Sequence, residues 1–298
     1  MSVNAGARYR DPRISSATGM GTSAALYADL DGTLLGPGGS LFAGPSGTVT
    51  DRAAGALAAL HRARIDLVLV SGRTRDQLRE AARILGASAA IAELGAFVVE
   101  RRPDGSEEVV RNLGAFRGPG TPFEAMAREG AGAFLLERYT GRLEPHAPWA
   151  FRGREATMLF RGLIDVAEAS RELDAAGYGW LEVLDNGRLR RPVPSLSDLP
   201  EVRAYHLLPR GVSKASGVRL HLARRSLDPS ACAAVGDASS DLALAAEVGT
   251  VYLVSDHAGD GRPSGRAGRV VVTEEGGTLG FAQAVEEFLR GVAGPSDD

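Results

Sequence analysis

The chain has 298 residues, 44% of them hydrophobic and 24% charged, with a formal net charge of −3. That length allows two domains, while the charge and the lack of a basic run interleaved with aromatics argue against nucleic-acid and membrane-surface partners. No apolar run is long enough to span a bilayer, the single Cys232 excludes an internal disulfide framework, and nothing at the N-terminus resembles a secretory signal, so a cytoplasmic location is expected.

Residues 1–22 are polar and glycine-dotted and read as a disordered leader. Ala24-Ala25-Leu26-Tyr27-Ala28 is short and wholly apolar, as expected of a central strand of a parallel sheet. It runs into Asp29-Leu30-Asp31-Gly32-Thr33, and the Gly/Pro-rich loop Gly36-Pro37-Gly38-Gly39 follows. Thr50 is placed to cap a helix ending near Arg62. Ile65 to Val70 is a second core strand with Ser71-Gly72-Arg73 at its tip, and Thr74-x-x-Gln77 is a capping box for a helix that stops at Gly86. Ala89-Ala90-Ile91-Ala92 is a third strand, which completes a βαβαβ start.

The rhythm then changes. Phe97-Val98-Val99 and Val109-Val110 flank a Pro103-Asp104-Gly105 turn, a short helix runs from Thr121 to Gly130, and Thr157 to Phe160 reads as a strand. Asp165 to Ala176 is an amphipathic helix, and Asp185-Asn186-Gly187 predicts a hairpin between Trp180–Leu184 and Arg188–Arg191. Pro192 to Pro200 reads as a linker. From Tyr205-His206-Leu207-Leu208 the first rhythm returns. It gives a helix over Ser213–Arg225, a strand Ala231–Val235, a helix Ser239–Val248, strands Val251–Val254 and Val270–Val272, and a last helix Leu279–Leu289. The expected fold is α/β, a doubly wound, Rossmann-like parallel-sheet core with an inserted α+β cap domain. Its expected segments are a leader 1–22, core 23–94, cap 95–204, core 205–292 and tail 293–298.

Four sites fall on one expected edge of the core sheet, beyond the carboxyl ends of its strands, where ligands of open α/β sheets bind. They are the pair Asp29 and Asp31, then Ser71-Gly72, then Lys214, then Gly236-Asp237-x-x-x-Asp241. Lys214 is the only lysine among 34 basic residues, and arginine cannot replace a site's need for a compact point charge. It opens its helix, where the macrodipole disfavours a cation unless an anion is bound beside it. Four carboxylates converging on one lysine require a divalent cation, and all-oxygen ligation suits Mg²⁺. Together with Ser71 and helix N-termini, such a site neutralises a phosphoryl group. No Walker-type Gly-x-x-x-x-Gly-Lys-Ser/Thr occurs.

Asp29-Leu30-Asp31-Gly32-Thr33, Ser71-Gly72-Arg73, Lys214 and Gly236-Asp237-x-x-x-Asp241 resemble, in order, the four motifs of the haloacid dehalogenase (HAD) superfamily. The insert resembles the type IIB cap of Cof-like, sucrose-phosphate and mannosyl-3-phosphoglycerate phosphatases. The resemblance implies that Asp29 is the nucleophile, that Asp31 is general acid and then base, and that Ser71, Gly72 and Lys214 hold the phosphoryl oxygens. It also implies a Mg²⁺ held by Asp29, Asp237 and the backbone carbonyl of Asp31, with Asp241 positioning metal waters or Lys214. An Asp at position 31 favours phosphatases and phosphomutases over dehalogenases. The implied activity is hydrolysis of a small phosphorylated metabolite, a sugar phosphate in first place. A phosphotransferase or phosphomutase and a non-enzymatic phospho-aspartate signalling module are the alternatives.

Three positions depart from the family pattern: Ser240 stands where Asn is common, Ser255-Asp256 where Gly-Asn is common, and Glu93-Leu94-Gly95 where Glu-Asn-Gly is usual. His146, in Pro145-His146-Ala147-Pro148-Trp149, reads as part of a rigid cap loop, and His61, His206, His221 and His257 have no partners at metal spacing. Arg152, Arg154 and Arg161 read either as solvated cap residues or as cations turned to an anionic substrate. The sequence leaves the substrate and the oligomeric state open.

Overall fold

The structure is a computed structural model that describes residues 24–102, 104–189, 191–254 and 268–292. The expected leader and tail, Ser255-Asp256 and His257 lie outside the described residues.

The chain enters through β1 (Ala25–Ala28), α1 (Arg52–Ala63), β2 (Asp66–Val70), α2 (Arg75–Leu85) and β3 (Ala89–Ala92), as the alternation of apolar runs and capped helices requires. Thr74 accepts from Gln77 N–H and Gly86 closes α2 in the left-handed conformation, so both punctuation marks act as expected. β4 (Phe97–Arg101) and β5 (Glu107–Arg111) follow. Next come α3 (Pro122–Glu129), α4 (Ala131–Arg138), β6 (Leu143–Pro145), β7 (Met158–Gly162), α5 (Val166–Ala175), β8 (Leu181–Arg188) and β9 (Arg203–Pro209). The chain closes with α6 (Lys214–Arg225), β10 (Ala233–Gly236), α7 (Ser239–Leu242), β11 (Thr250–Leu253), β12 (Arg269–Val272) and α8 (Gly277–Val292).

The strands form two sheets. The larger runs β12-β11-β10-β1-β2-β3-β4-β5, parallel from β12 to β3, with β4 and β5 antiparallel at one edge. β1 lies between β10 and β2, and all four of its side chains are buried. Its alternate residues serve the two faces. Leu26 and Ala28 pack with Leu60, Leu78, Phe281 and Val285 from α1, α2 and α8, whereas Ala25 and Tyr27 pack with Val218 and Leu222 of α6. Helices on both faces force the doubly wound arrangement.

The smaller sheet runs β6-β7-β9-β8, all antiparallel. One face is lined by Phe160, Val183, Tyr205 and Leu207 and buries its own core against Met126, Leu135 and Leu173 of α3, α4 and α5. By the two-residue period of a strand, Leu159, Arg161, Leu184 and His206 lie on the other face. Leu208 and Leu184 of that face pack into the core of the large sheet, so it is turned toward the strand ends that carry the site.

Three expectations need correction. The hairpin Phe97–Arg111, expected in the insert, extends the large sheet, because Phe97, Val98 and Val99 are buried against it. The strand around Tyr205–Leu208, expected to reopen the core, is instead the middle of the small sheet. Tyr205 and Leu207 bury among that sheet's helices. The hairpin at Asp185-Asn186-Gly187 does not form: β8 runs through these residues alongside β9 with an irregularity between Asp185 and Arg188. Asp185 accepts from Gly187 N–H and Gly187 takes φ 97°, so the turn-forming residues make a bulge rather than a reversal. α4 was not expected, since Gly130 serves both as the end of α3 and as the residue preceding α4.

Candidate active site

Asp29 continues β1 by one residue, its N–H donating to the Val235 carbonyl at 2.9 Å. Gly32 then takes φ 94°, its N–H donates to the Leu35 carbonyl, and the chain turns sharply away from the sheet. Asp29 is left buried at the strand end while Asp31 is exposed.

Lys214 is the first residue of α6, a helix opened by a reciprocal cap between Ser213 and Ser216. Its Nζ donates to Asp29 Oδ1 and Asp241 Oδ1, each at 2.8 Å, and the side chain is almost wholly buried. Burial alone would lower the ammonium's pKa. The charges and hydrogen bonds of Asp241 and Asp29 outweigh it and push the group up, so Lys214 stays protonated. Burial pushes the Asp29 carboxyl well above its ordinary range; Lys214 pulls it back, and the charges of Asp241 and Asp237 push it further up.

Asp241 turns its second oxygen to the Ala238 N–H at 3.1 Å, which fixes the carboxylate against the loop after β10. That fit needs glycine at 236, where a Cβ would fall 2.2 Å from Asp241 Cγ. Asp29, Asp237 and Asp241 each offer a carboxylate oxygen within 4.8 Å of the others. Three carboxylates against one ammonium leave surplus negative charge in a mostly buried space. An all-oxygen donor set with that charge fits a magnesium ion. The Asp31 carboxylate is outside this group. It is gripped at both oxygens by Arg73, Nε at 2.8 Å and Nη2 at 2.5 Å.

Ser71 ends β2, buried, with its Oγ accepting from Arg73 N–H. Gly72 lies where the small sheet comes down: a Cβ there would be 2.8 Å from His206 Nε2 and 3.2 Å from Asn186 Nδ2. A side chain at 72 would therefore collide with the cap.

One feature of the site, Glu93, was not legible as a site residue, and a second, Arg154, was legible only as one of three arginines that either face solvent or turn to an anion. Glu93, just past β3, is fully buried with φ 48° and accepts from the N–H groups of Glu155, Ala156 and Thr157 and from the Thr157 hydroxyl, at 2.9–3.0 Å. Burial pushes its carboxyl up against these bonds. Arg154, at the start of the gripped segment, donates from Nη1 to the Gly72 carbonyl and to Thr157 Oγ1. In the sequence Glu93 stands out only through the departure at Leu94, whose own φ is 56°.

The amino-acid sequence matches no family model, and no curated protein matches it. Solved structures do. The phosphatase BT1666 of the haloalkanoate (HAD) superfamily from Bacteroides thetaiotaomicron is 19% identical over 93% of this chain and 99% of its own, with a TM-score of 0.58. The sucrose-phosphatase of Synechocystis sp. PCC6803, solved with sucrose and phosphate, is 15% identical over 89% and 98%, with a TM-score of 0.54. The HAD subclass IIB sugar phosphatase BT4131 is 17% identical over 89% and 98%, with a TM-score of 0.53. The chain therefore has the fold of HAD-superfamily phosphatases, cap included. A subclass IIB sugar phosphatase is among the structures that share this fold.

Proposed function

We propose that this protein is a Mg²⁺-dependent phosphomonoester phosphatase that works through an aspartyl phosphate on Asp29. The observation that carries the reading is the lysine bridge. Lys214 Nζ joins Asp29 to Asp241 beside a third carboxylate, at the carboxyl end of the central strand. Asp29 and Asp237 would hold the metal with the Asp31 carbonyl, and Asp241 positions Lys214. When bound, the metal supplies positive charge against the phosphoryl oxygens.

In this mechanism an Asp29 oxygen forms a bond to phosphorus as the ester oxygen leaves with the bonding pair, and Asp31 delivers a proton to it. Asp31 then takes a proton from water, whose oxygen attacks the same phosphorus and releases phosphate from Asp29. Lys214, the Ser71 hydroxyl and the Gly72 N–H would hold the phosphoryl oxygens, and Arg73 fixes the Asp31 carboxylate. The small sheet comes down over the phosphate loop, with His206 against Gly72, and would limit water at the buried Asp29. A small phosphorylated metabolite is the substrate, a sugar phosphate in first place, since a sucrose-phosphatase and a sugar phosphatase share the whole architecture. We place the protein in the cytoplasm; among the described residues no helix is long and apolar enough to cross a membrane.

Phosphate release from a panel of phosphorylated sugars and other small metabolites, with Mg²⁺ or with EDTA, tests this reading. Release that needs the metal and is lost in Asp29→Asn is expected. No release from any substrate, with stable labelling of Asp29 by a phosphodonor, would replace hydrolysis with phosphoryl transfer or signalling.

A further inference from the structure

All three backbone carbonyls of the phosphate loop Ser71-Gly72-Arg73 are held, and the middle one is held from the cap. The Leu94 N–H donates to the Ser71 carbonyl at 3.1 Å, and the Glu93 N–H donates to the Arg73 carbonyl at 3.0 Å. Both donors lie in the turn after β3, where Glu93 and Leu94 take left-handed φ values of 48° and 56°. L side chains keep that conformation only where the surroundings impose it. Between them the Gly72 carbonyl accepts from Arg154 Nη1 at 3.1 Å.

A trans peptide points its carbonyl and its N–H in opposite directions. Fixing the Gly72 carbonyl therefore fixes the Arg73 N–H, which belongs to the same peptide. That N–H donates to Ser71 Oγ at 3.3 Å. A hydroxyl that accepts at its oxygen still has its own proton to give. The guanidinium thus stands at one end of a short series and the buried Ser71 hydroxyl at the other. A cation on the carbonyl polarises the amide, and hydrogen bonds in series strengthen one another where water is excluded.

Arg154 is itself firmly placed. Its Nε donates to the Trp149 carbonyl at 2.9 Å, and its Nη1 also donates to Thr157 Oγ1 at 2.8 Å. Thr157 Oγ1 in turn donates to the buried Glu93 carboxylate, which balances the guanidinium from one hydroxyl away. Glu93 therefore meets both partners. Its backbone N–H holds the phosphate loop, and its carboxylate holds the cap residues that follow Arg154.

We infer that Arg154 is a positioning residue for phosphoryl binding, a cap cation that acts through the Gly72–Arg73 peptide to aim and polarise the Ser71 hydroxyl. The inference rests on the phosphatase reading above and adds a duty for the cap, which completes the phosphoryl site as well as covering it. Contact with the leaving group has no part in this role, so the effect is the same for every ester.

A double-mutant cycle of Ser71→Ala and Arg154→Met tests it. In the wild-type background Arg154→Met is expected to lower kcat/KM about tenfold, the contribution of one charge-assisted hydrogen bond. The factor should be the same for p-nitrophenyl phosphate as for glucose 6-phosphate. In the Ser71→Ala background the same substitution should cost about twofold or less. Equal losses in the two backgrounds would overturn the inference and make Arg154 a direct ligand of the substrate. So would a loss confined to one ester. Hydrogen exchange at the Arg73 amide needs no turnover and should quicken about tenfold in Arg154→Met, with partial recovery in Arg154→Lys. Unchanged protection there would also overturn the inference. If the wild type hydrolyses neither ester, the phosphatase reading fails, while the exchange rate still decides whether Arg154 orders the loop. Should Arg154→Met fail to fold, Arg154→Gln, which removes the charge and keeps a donor, carries the same cycle and the same exchange measurement.

Discussion

Lys214 Nζ stands 2.8 Å from Asp29 Oδ1 although the two residues are 185 positions apart, and it makes the same contact with Asp241. One compact ammonium reaches two carboxylates inside a space that excludes water. A guanidinium is too wide and too planar to do so without displacing one of them. Lys214→Arg is therefore expected to lower kcat for phosphoester hydrolysis by at least about a hundredfold while leaving the protein folded, about 2.7 kcal/mol of transition-state stabilisation. Steady-state kinetics beside a circular dichroism melt would check this, and an unchanged kcat would remove the lysine from the mechanism.

The three carboxylates around that ammonium repel one another until a cation joins them. Mg²⁺ is expected to raise the melting temperature of the wild type in a concentration-dependent way, because a ligand of the folded state alone stabilises by mass action. Asp237→Asn should abolish most of that rise and raise the melting temperature measured in EDTA. Differential scanning fluorimetry with and without Mg²⁺ reads both effects, and an identical Mg²⁺ response in wild type and variant would remove Asp237 from the site.

Glu93 joins the end of β3 to residues 155–157 through four hydrogen bonds. In Glu93→Gln the amide would point N–H donors at N–H donors. The loss expected is about 1–3 kcal/mol of stability. Faster hydrogen exchange should be confined to the amides of Glu155, Ala156 and Thr157. Unchanged protection there would show that the carboxylate charge is not what holds the segment.

His221 sits inside the large domain with its Nδ1 2.9 Å from the Tyr27 hydroxyl. Burial, helped by Arg225 and Arg224, pushes the ring's pKa down to about 3. In the unfolded chain the ring binds a proton below about pH 6.5. The folded chain refuses it until about pH 3. Stability from this group is therefore full above pH 6.5 and lost as pH falls through that window, by about 1.4 kcal/mol per pH unit. Urea titrations from pH 7 to pH 4 should show a shallower pH dependence in His221→Leu than in wild type. Equal slopes would mean that the ring is already charged in the fold.

The strand and helix pattern of the large sheet was readable because its strands are wholly apolar and its helices carry explicit caps, as at Thr74 and Gly86. Of the two hairpin signals, the one over Phe97–Arg111 was read at the right place and given the wrong sheet, and the one at Asp185-Asn186-Gly187 marks no hairpin. Asp185-Asn186-Gly187 specifies a local kink, and only the long apolar partner β9 decided that the kink would be a bulge inside one strand. Likewise Phe97–Val99 could have closed either sheet until burial chose the larger.

By itself the sequence determined which polar residues stand at one edge of the core sheet. Asp29, Asp31, Ser71, Lys214, Asp237 and Asp241 each stand at the end of an apolar run or the start of a helix, where local rules place them at one sheet edge. Tertiary structure alone decided how those residues are paired. Asp31 turns to Arg73 and leaves the acid cluster, Asp241 takes Lys214, Glu93 joins the end of β3 to residues 155–157, and His206 reaches Gly72 from the small sheet. Period and capping are properties of a few neighbouring residues, and a chain shows them before it folds. Charge pairing between residues 27 to 185 positions apart depends on which surfaces exclude water from each other, and that is settled only when the chain folds.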